Sequence, residues 1–319
     1  MIAASDSDVQ GLAAALRGVL AGRVAVGEPL APLTSFRVGG PAAVFVEPTD
    51  EADLVRVAEA IASHPVPVLV LGRGTNLLVS DQGFPGIVVR LTSGFEWIAG
   101  DGTSVDAGGG APLPKVANHA ARRSLAGMEF AVAIPATVGG GVRMNAGAHA
   151  SSISSVLSWA RVVHLTTGLE ETLSVENLNL SYRSSSLTAT DVVCAARFDL
   201  VPGDRGDIGR RMEEYRLHRA TTQPAEAPNA GSMFRNPDGG SAGMLIEAAG
   251  LKGTAVGQAE VSDRHANFFL ARPGATAQQV LDLMVKVQRA VEEHAGVVLQ
   301  PEVHVVGAFE RAGLLRSGL

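Results

Sequence analysis

The sequence predicts an α+β protein of more than one domain. Three observations predict it. A strand–helix–strand unit near the N-terminus ends in a glycine-rich turn, a strand-dominated stretch begins at Ile87, and the chain beyond residue 220 has a helix and strand pattern of its own. The 319 residues allow two or three domains of ordinary size, and a hydrophobic share of 46% is enough to give each a core.

Val9, Leu12, Leu16, Val19 and Leu20 recur at helical spacing and predict a helix over 8–22. Residues 34–41 read as a loop and 43–47 as a strand. A helix over 50–63 follows, with Leu54, Val57, Ala58 and Ile61 on one face, and then an apolar strand over 66–71. Strands are expected over 87–91, 95–99, 104–108, 159–165 and 192–200, and a helix over 114–123. A basic helix over 207–221 leads to a Pro/Ala/Asn-rich stretch over 223–231 that reads as a linker. Beyond it come helices over 244–249 and 276–294 and strands over 267–271 and 303–306, which predict a separate α+β domain over about 220–307. The tail over 308–319 is expected to fray.

Composition excludes several classes. A net charge of −6 with no long basic run argues against nucleic acid as the main partner. The single cysteine, Cys194, lies in the apolar run Val192-Val193-Cys194-Ala195-Ala196, so a buried, inert thiol is expected and no internal disulfide can form. None of the eight histidines pairs with another at metal-ligand spacing, so no metal is expected. No signal sequence or run of eighteen apolar residues is present; a cytoplasmic protein with no membrane partner is expected, with a monomer as the default state.

The 37 glycines cluster in two loops. The first, Leu71-Gly72-Arg73-Gly74-Thr75-Asn76-Leu77, follows an apolar strand. Its glycines let the chain turn and expose successive amides, a concavity that binds phosphate oxygens, while Arg73, Thr75 and Asn76 add donors. The pattern is neither the dinucleotide fingerprint opening a helix nor a phosphate-binding loop with lysine, and a plain turn is the competing reading. The second runs Ile134-Pro135-Ala136-Thr137-Val138-Gly139-Gly140-Gly141-Val142-Arg143-Met144-Asn145-Ala146-Gly147-Ala148. Only main chain can reach a ligand there, which suits a flat ring or a pyrophosphate; a tightly packed helix start is the alternative. Spacing alone leaves a dinucleotide clamp and two ordinary turns both open.

Seven motifs in order decide between them. These are residues 34–41, residues 72–79, residues 134–148, Ser181-Tyr182-Arg183-Ser184-Ser185, Gly231-Ser232-Met233-Phe234-Arg235-Asn236-Pro237, Gly250-Leu251-Lys252-Gly253 and Pro301-Glu302-Val303. Together they resemble the UDP-N-acetylenolpyruvoylglucosamine reductases, also called UDP-N-acetylmuramate dehydrogenases, over about residues 30–308. The resemblance implies an FAD-binding domain of the vanillyl-alcohol-oxidase type in two lobes, 1–85 and 86–219, with FAD between them. A substrate-binding domain, 220–307, would cover the flavin. It implies non-covalent FAD, since neither loop holds a histidine or cysteine, with NADPH as hydride donor. Flavin contacts would come from Arg73, Gly74, Thr75, Asn76, Leu77, Gly139, Gly140, Asn145, Ala146 and Gly147.

The family's reaction, as the resemblance implies it, passes hydride from NADPH to flavin N5 and then to C3 of the enolpyruvyl group of a nucleotide sugar. Charge builds at C2 and on the adjacent carboxylate until an acid protonates C2. Arg183 matches the arginine that stabilises that charge; a guanidinium stays charged and can grip a carboxylate through two bonds. Ser232 matches the serine that protonates C2, and Glu302 the glutamate that polarises the substrate beside Arg183. Tyr182, Arg235, Asn236 and Lys252 match substrate contacts, and His265 falls near the same end of the third domain. Arg235 stands where lysine is frequent, keeping the charge but offering a fork.

Two departures stand out. Only a few residues separate Asn236 from the helix near Gly243, so the chain resembles the shorter subtype without a lid tyrosine. Ala136 and Thr137 stand where Gly-Ser or Gly-Thr is usual. The competing functions are another FAD-dependent sugar or hydroxy-acid oxidoreductase of the same fold and a non-enzymatic nucleotide-sugar binding protein.

Overall fold

The computed structural model describes residues 6–310. The chain divides into two compact units, each assembled from discontinuous stretches. The first comprises residues 1–27, 43–73 and 85–219; the second comprises 28–42, 74–84 and 220–319. The sequence places 28–42 and 74–84 in the first lobe, whereas they group with the C-terminal segment, because Phe36, Val38 and Leu78 are buried in its core.

Among the described residues the first unit holds two larger sheets and two short strand pairs, Gly147–Ala148 with Ser151–Ser152 and Leu125–Ala126 with Val201–Pro202. One is four-stranded, in the order Arg23–Pro29, Pro41–Glu47, Phe84–Arg90, Val68–Leu71. The last two run parallel, with Val68 opposite Ile87, while helix Glu51–Ser63 joins Pro41–Glu47 to Val68–Leu71 across the strand Phe84–Arg90 that lies between them. Helices Asp6–Val19 and Glu51–Ser63 bury Leu12, Leu16, Leu54, Val57 and Ile61 with Val44, Val46, Ile87 and Val89. The second sheet has five antiparallel strands, in the order Glu170–Ser174, Leu157–His164, Asp191–Asp199, Ser104–Gly108, Ile98–Asp101. Its central strand is buried along Val192, Val193, Cys194, Ala195 and Ala196, so its sequence is a continuous apolar run with no alternation. Burial pushes the Cys194 thiol up to about 12.

The expected strand over 95–99 is interrupted. Ser93–Phe95 forms a tight turn, with Phe95 N donating to Thr92 O at 2.8 Å and its ring buried, and the strand begins only at Ile98. The strands Arg23–Pro29 and Glu170–Ser174 carry too few buried apolar residues to announce themselves.

In the second unit the helix Ala277–Ala295 buries Val280, Leu281, Met284, Val287 and Val291. Its start is fastened twice: Thr276 and Gln279 form a capping box, and the Asp81 carboxylate accepts from Ala277 N and Gln278 N, each at 2.9 Å. The unit also holds a short helix, Ala242–Ala248, three short antiparallel strands, Ala255–Val256, Ala259–Val261 and Phe269–Ala271, and a parallel pair, Leu77–Val79 with His304–Val306. Residues of the expected tail beyond 310 lie outside the described residues.

One buried charge ties the first unit's N-terminal segment down. Asp53, 0% exposed, accepts from Ala21 N, Gly22 N, Thr49 N and Thr49 Oγ1 and pairs with Arg56. Burial raises its pKa, but the amides of Thr49 and Ala21, the Thr49 hydroxyl and Arg56 outweigh that and hold it below the usual aspartate value. The folded value is therefore below the unfolded one. The stabilisation is complete above about pH 4 and is lost as pH falls through the folded value. Asp53→Asn is expected to lower unfolding free energy at pH 7 by about 1–3 kcal/mol and to flatten the loss of stability below about pH 4. Denaturant melts across pH check this; equal acid slopes in both proteins would contradict it.

Candidate functional site

The first glycine turn leaves the strand Val68–Leu71. Gly74 sits at φ 61°, in the left-handed region, and a Cβ there would strike Leu33 O and Thr34 Cα. Gly74 O accepts from Ser35 N at 3.0 Å and Asn76 O from His304 N at 3.1 Å, so the turn spends its carbonyls on the protein. Among the described residues, nothing accepts from the amides of Arg73, Gly74 or Thr75. That is a donor set suited to pyrophosphate oxygens.

The second loop is a short helix, Val138–Arg143, despite its three glycines. Thr137 caps it by accepting from Gly140 N at 3.2 Å. Long-range backbone bonds override propensity: Val138 N donates to Ala111 O and Gly139 N to Gly109 O, both at 2.8 Å. The amides of Gly139, Gly140 and Gly141 are thus all engaged within the protein. Its contribution is therefore shape, a main-chain surface with no side chains at Gly139 and Gly140. The two loops meet within the first unit, since a Cβ on Gly72 would lie 2.8 Å from Thr137 Oγ1. Within the first unit, the free amide of Arg73 next to Gly72 and the side-chain-free surface at Gly139 and Gly140 suit a dinucleotide.

Arg183 stands on a two-residue turn closed by mutual bonds between Ser181 and Ser184, N to O at 3.1 and 3.2 Å. Its φ is 56°, an unfavourable conformation for a side-chain-bearing residue that costs on the order of 1 kcal/mol. Arg183 Nη2 donates to Gly147 O at 3.2 Å, and its guanidinium lies 5.2 Å from the centre of the exposed Tyr182 ring. Ser185 Oγ donates to Arg143 O at 2.7 Å, and Asn145 Nδ2 donates to Ser181 O at 2.9 Å. The structure thus brings Asn145, Gly147, Tyr182 and Arg183 together.

In the second unit Gly231, Ser232, Met233, Phe234 and Arg235 run beside Gln300, Pro301 and Glu302. Glu302 N donates to Met233 O and Arg235 N to Gln300 O, each at 2.8 Å, and Phe234 pairs with Pro301. Ser232 and Glu302 therefore lie on adjacent segments in fixed register. Asn76 Nδ2 donates to Glu302 O at 3.0 Å, so the side chain expected at the flavin holds the glutamate segment. Asn267, which sequence reasoning passed over, locks the other side: its amide exchanges two bonds with the backbone of buried Phe234, at 3.0 and 2.8 Å. A lone asparagine in the apolar run from Ala266 to Leu270 was the available signal.

Asn236 Oδ1 accepts from Ala242 N at 3.0 Å and Lys252 pairs with Glu247 at 2.7 Å. Burial pushes the His265 ring below the ordinary imidazole value, and its Nδ1 accepts from Asn267 N at 3.2 Å. Arg73 is exposed. Among the described residues no cluster of three His, Cys, Asp or Glu is placed to hold a metal, and no helix is long and apolar enough to cross a membrane.

This fold and these loops define an FAD-binding oxidoreductase whose flavin domain is of the vanillyl-alcohol-oxidase type, and residues 42–174 match the FAD binding domain family. Residues 223–306 match the C-terminal domain of UDP-N-acetylenolpyruvoylglucosamine reductase. The chain is 46% identical to UDP-N-acetylenolpyruvoylglucosamine reductase 2 of Symbiobacterium thermophilum over 90% of its length and 93% of that protein's. It is 45% identical to the UDP-N-acetylenolpyruvoylglucosamine reductase of Rubrobacter xylanophilus, over 88% and 94% respectively. The crystal structure of the corresponding reductase from Thermus caldophilus superposes with a TM-score of 0.77 at 35% identity, covering 90% of this chain and 99% of that one. The chain belongs to the UDP-N-acetylenolpyruvoylglucosamine reductase family.

The contact between the loops predicts a specific failure. Gly72→Ala is expected to displace Thr137, uncap the glycine helix and weaken FAD binding about tenfold or more. Flavin absorbance per protein after purification, and FAD titration of the apoprotein, measure it.

Proposed function

We propose that this chain reduces UDP-N-acetylglucosamine enolpyruvate to UDP-N-acetylmuramate, a step in peptidoglycan precursor synthesis, and that Arg183, Ser232 and Glu302 carry the protein's part of it. Family membership sets aside the other oxidoreductases of this fold and the non-enzymatic binding protein. When bound, FAD would supply the redox chemistry, relaying hydride from NADPH to the enolpyruvyl group.

The observation that carries the residue assignment is the fixed register of Ser232 and Glu302, set by the bond from Glu302 N to Met233 O. Arg183 binds the substrate carboxylate and stabilises charge that spreads onto it as C2 becomes carbanionic. Ser232 Oγ gives its proton to C2 and is reprotonated from water; a serine is acid enough only against so strong a base. Glu302 orients the same carboxyl end. Arg235, Asn236, Lys252 and His265 are assigned to the nucleotide-sugar moiety, Lys252 and Arg235 as cations for its diphosphate. Arg73, Thr75, Leu77 and the amides of the first turn would hold the FAD pyrophosphate, and Gly139, Gly140, Ala146 and Gly147 would give room to the flavin. The chain is proposed to work as a cytoplasmic monomer, in the compartment where NADPH and nucleotide sugars are dissolved.

Ser232→Ala is expected to leave flavin reduction by NADPH within about twofold of the parent and to slow flavin reoxidation by substrate about 10²–10⁴-fold. Stopped-flow absorbance separates the two halves. Equal slowing of both would remove the acid role. NADPH oxidation that shows no dependence on the enolpyruvyl sugar, in a flavin-loaded sample, would remove the whole assignment. Glu302→Gln is expected to slow the same second half and to alter its pH–rate profile; an unchanged rate and profile would free Glu302 of any role.

A further inference from the structure

The sequence resemblance groups Asn145 with the flavin contacts; the structure assigns it instead to positioning Arg183. This rests on the reading of Arg183 given above and deepens it. The Asn145 side chain is 6% exposed, and both of its polar atoms are engaged inside the protein. Nδ2 donates to Ser181 O and Oδ1 accepts from Ser154 N, both at 2.9 Å. The residue thus links the end of the glycine helix, the turn that carries Arg183 and the segment at Ser154.

The chemistry of the position selects asparagine. Its φ is 40°, in the region that asparagine tolerates better than other side-chain-bearing residues. The bridge needs a donor and an acceptor on one short side chain. Aspartate would keep the acceptor for Ser154 N and turn a carboxylate oxygen against Ser181 O. Glycine would accept the backbone geometry and make no bridge.

The turn needs the bridge. It is two residues long, and Arg183 stands in it at φ 56°. Ser185 Oγ to Arg143 O fastens its far side and Arg183 Nη2 to Gly147 O its tip, but among the described residues Ser181, where the chain enters, is fixed by Asn145 alone of the hydrogen bonds that leave the turn. Without that bond the turn can pivot and carry the guanidinium with it. A displacement of about 1 Å at a charge-stabilising group is enough to slow a reaction about 10²-fold.

The test uses the flavin-loaded enzyme with Asn145→Asp, Asn145→Gly, Arg183→Ala and the Asn145→Asp/Arg183→Ala double variant. Asn145→Asp keeps the backbone preference and the Ser154 bond and loses only the grip on Ser181, so it remains informative if Asn145→Gly does not fold. The expected result is an FAD dissociation constant, from titration of apoprotein, within about threefold of the parent, NADPH-driven flavin reduction within about twofold, and reoxidation by the enolpyruvyl sugar slowed about 10- to 100-fold. In the Arg183→Ala background the same change is expected to slow reoxidation by less than about threefold further, because the group it positions is gone. A tenfold weaker FAD complex, or an NADPH step slowed as much as the second, would make Asn145 a cofactor ligand and overturn the proposal. A full Asn145→Asp effect persisting in the Arg183→Ala background would overturn it too. Arg183→Ala with unaltered reoxidation would instead overturn the role of Arg183, a result distinct from both.

Discussion

The contact between Gly72 and Thr137 is the constraint on which the flavin half of the structure depends. Thr137 Oγ1 caps the glycine helix through Gly140 N, and its methyl and hydroxyl fill the space that a side chain at residue 72 would occupy. The strand carrying the first loop therefore ends where the helix of the second begins. A helix rich in glycine has little tendency to form by itself. It persists here because its first amides bond to Ala111 O, Gly109 O and Thr137. The smooth surface this leaves is a product of packing, not of local preference.

Within each unit the segments that carry the proposed catalytic groups are held by hydrogen bonds to backbone. Arg183 is referred to the end of the helix through Asn145, Arg143 and Gly147. Glu302 is referred to the first loop through Asn76 and to Ser232's neighbour through Met233. In both cases an asparagine side chain grips the main chain of the reactive segment. Amides suit this work, since one short group both donates and accepts and carries no charge to bury.

Much of this was legible in the sequence, and the remainder was not for identifiable reasons. The strand over 104–108 and the helices over 50–63 and 276–294 stand out because their apolar residues repeat at the period of the element. The central strand around Cys194 is an apolar run because both of its faces are covered. The glycine loops were visible as loops, but their meeting was not, since local pattern holds nothing about a partner sixty-odd residues away. Arg183, Ser232 and Glu302 came only through resemblance; each is an unremarkable polar residue in its own neighbourhood. The two asparagines were placed beside the flavin for the same reason. Their bonds to Ser181 O and Glu302 O span 36 and 226 residues, distances over which no periodicity operates.

The burial of Cys194 has a practical side. A thiol sealed in a central strand, its pKa pushed up by burial, is invisible to alkylating reagents and to peroxide while the protein is folded. It is the only sulfhydryl in the chain. The protein is thus a ready-made cysteine-silent background. A single cysteine introduced near the exposed Met244 could carry a fluorophore or spin label without competition, and reaction of Cys194 itself would report opening of the sheet that buries it.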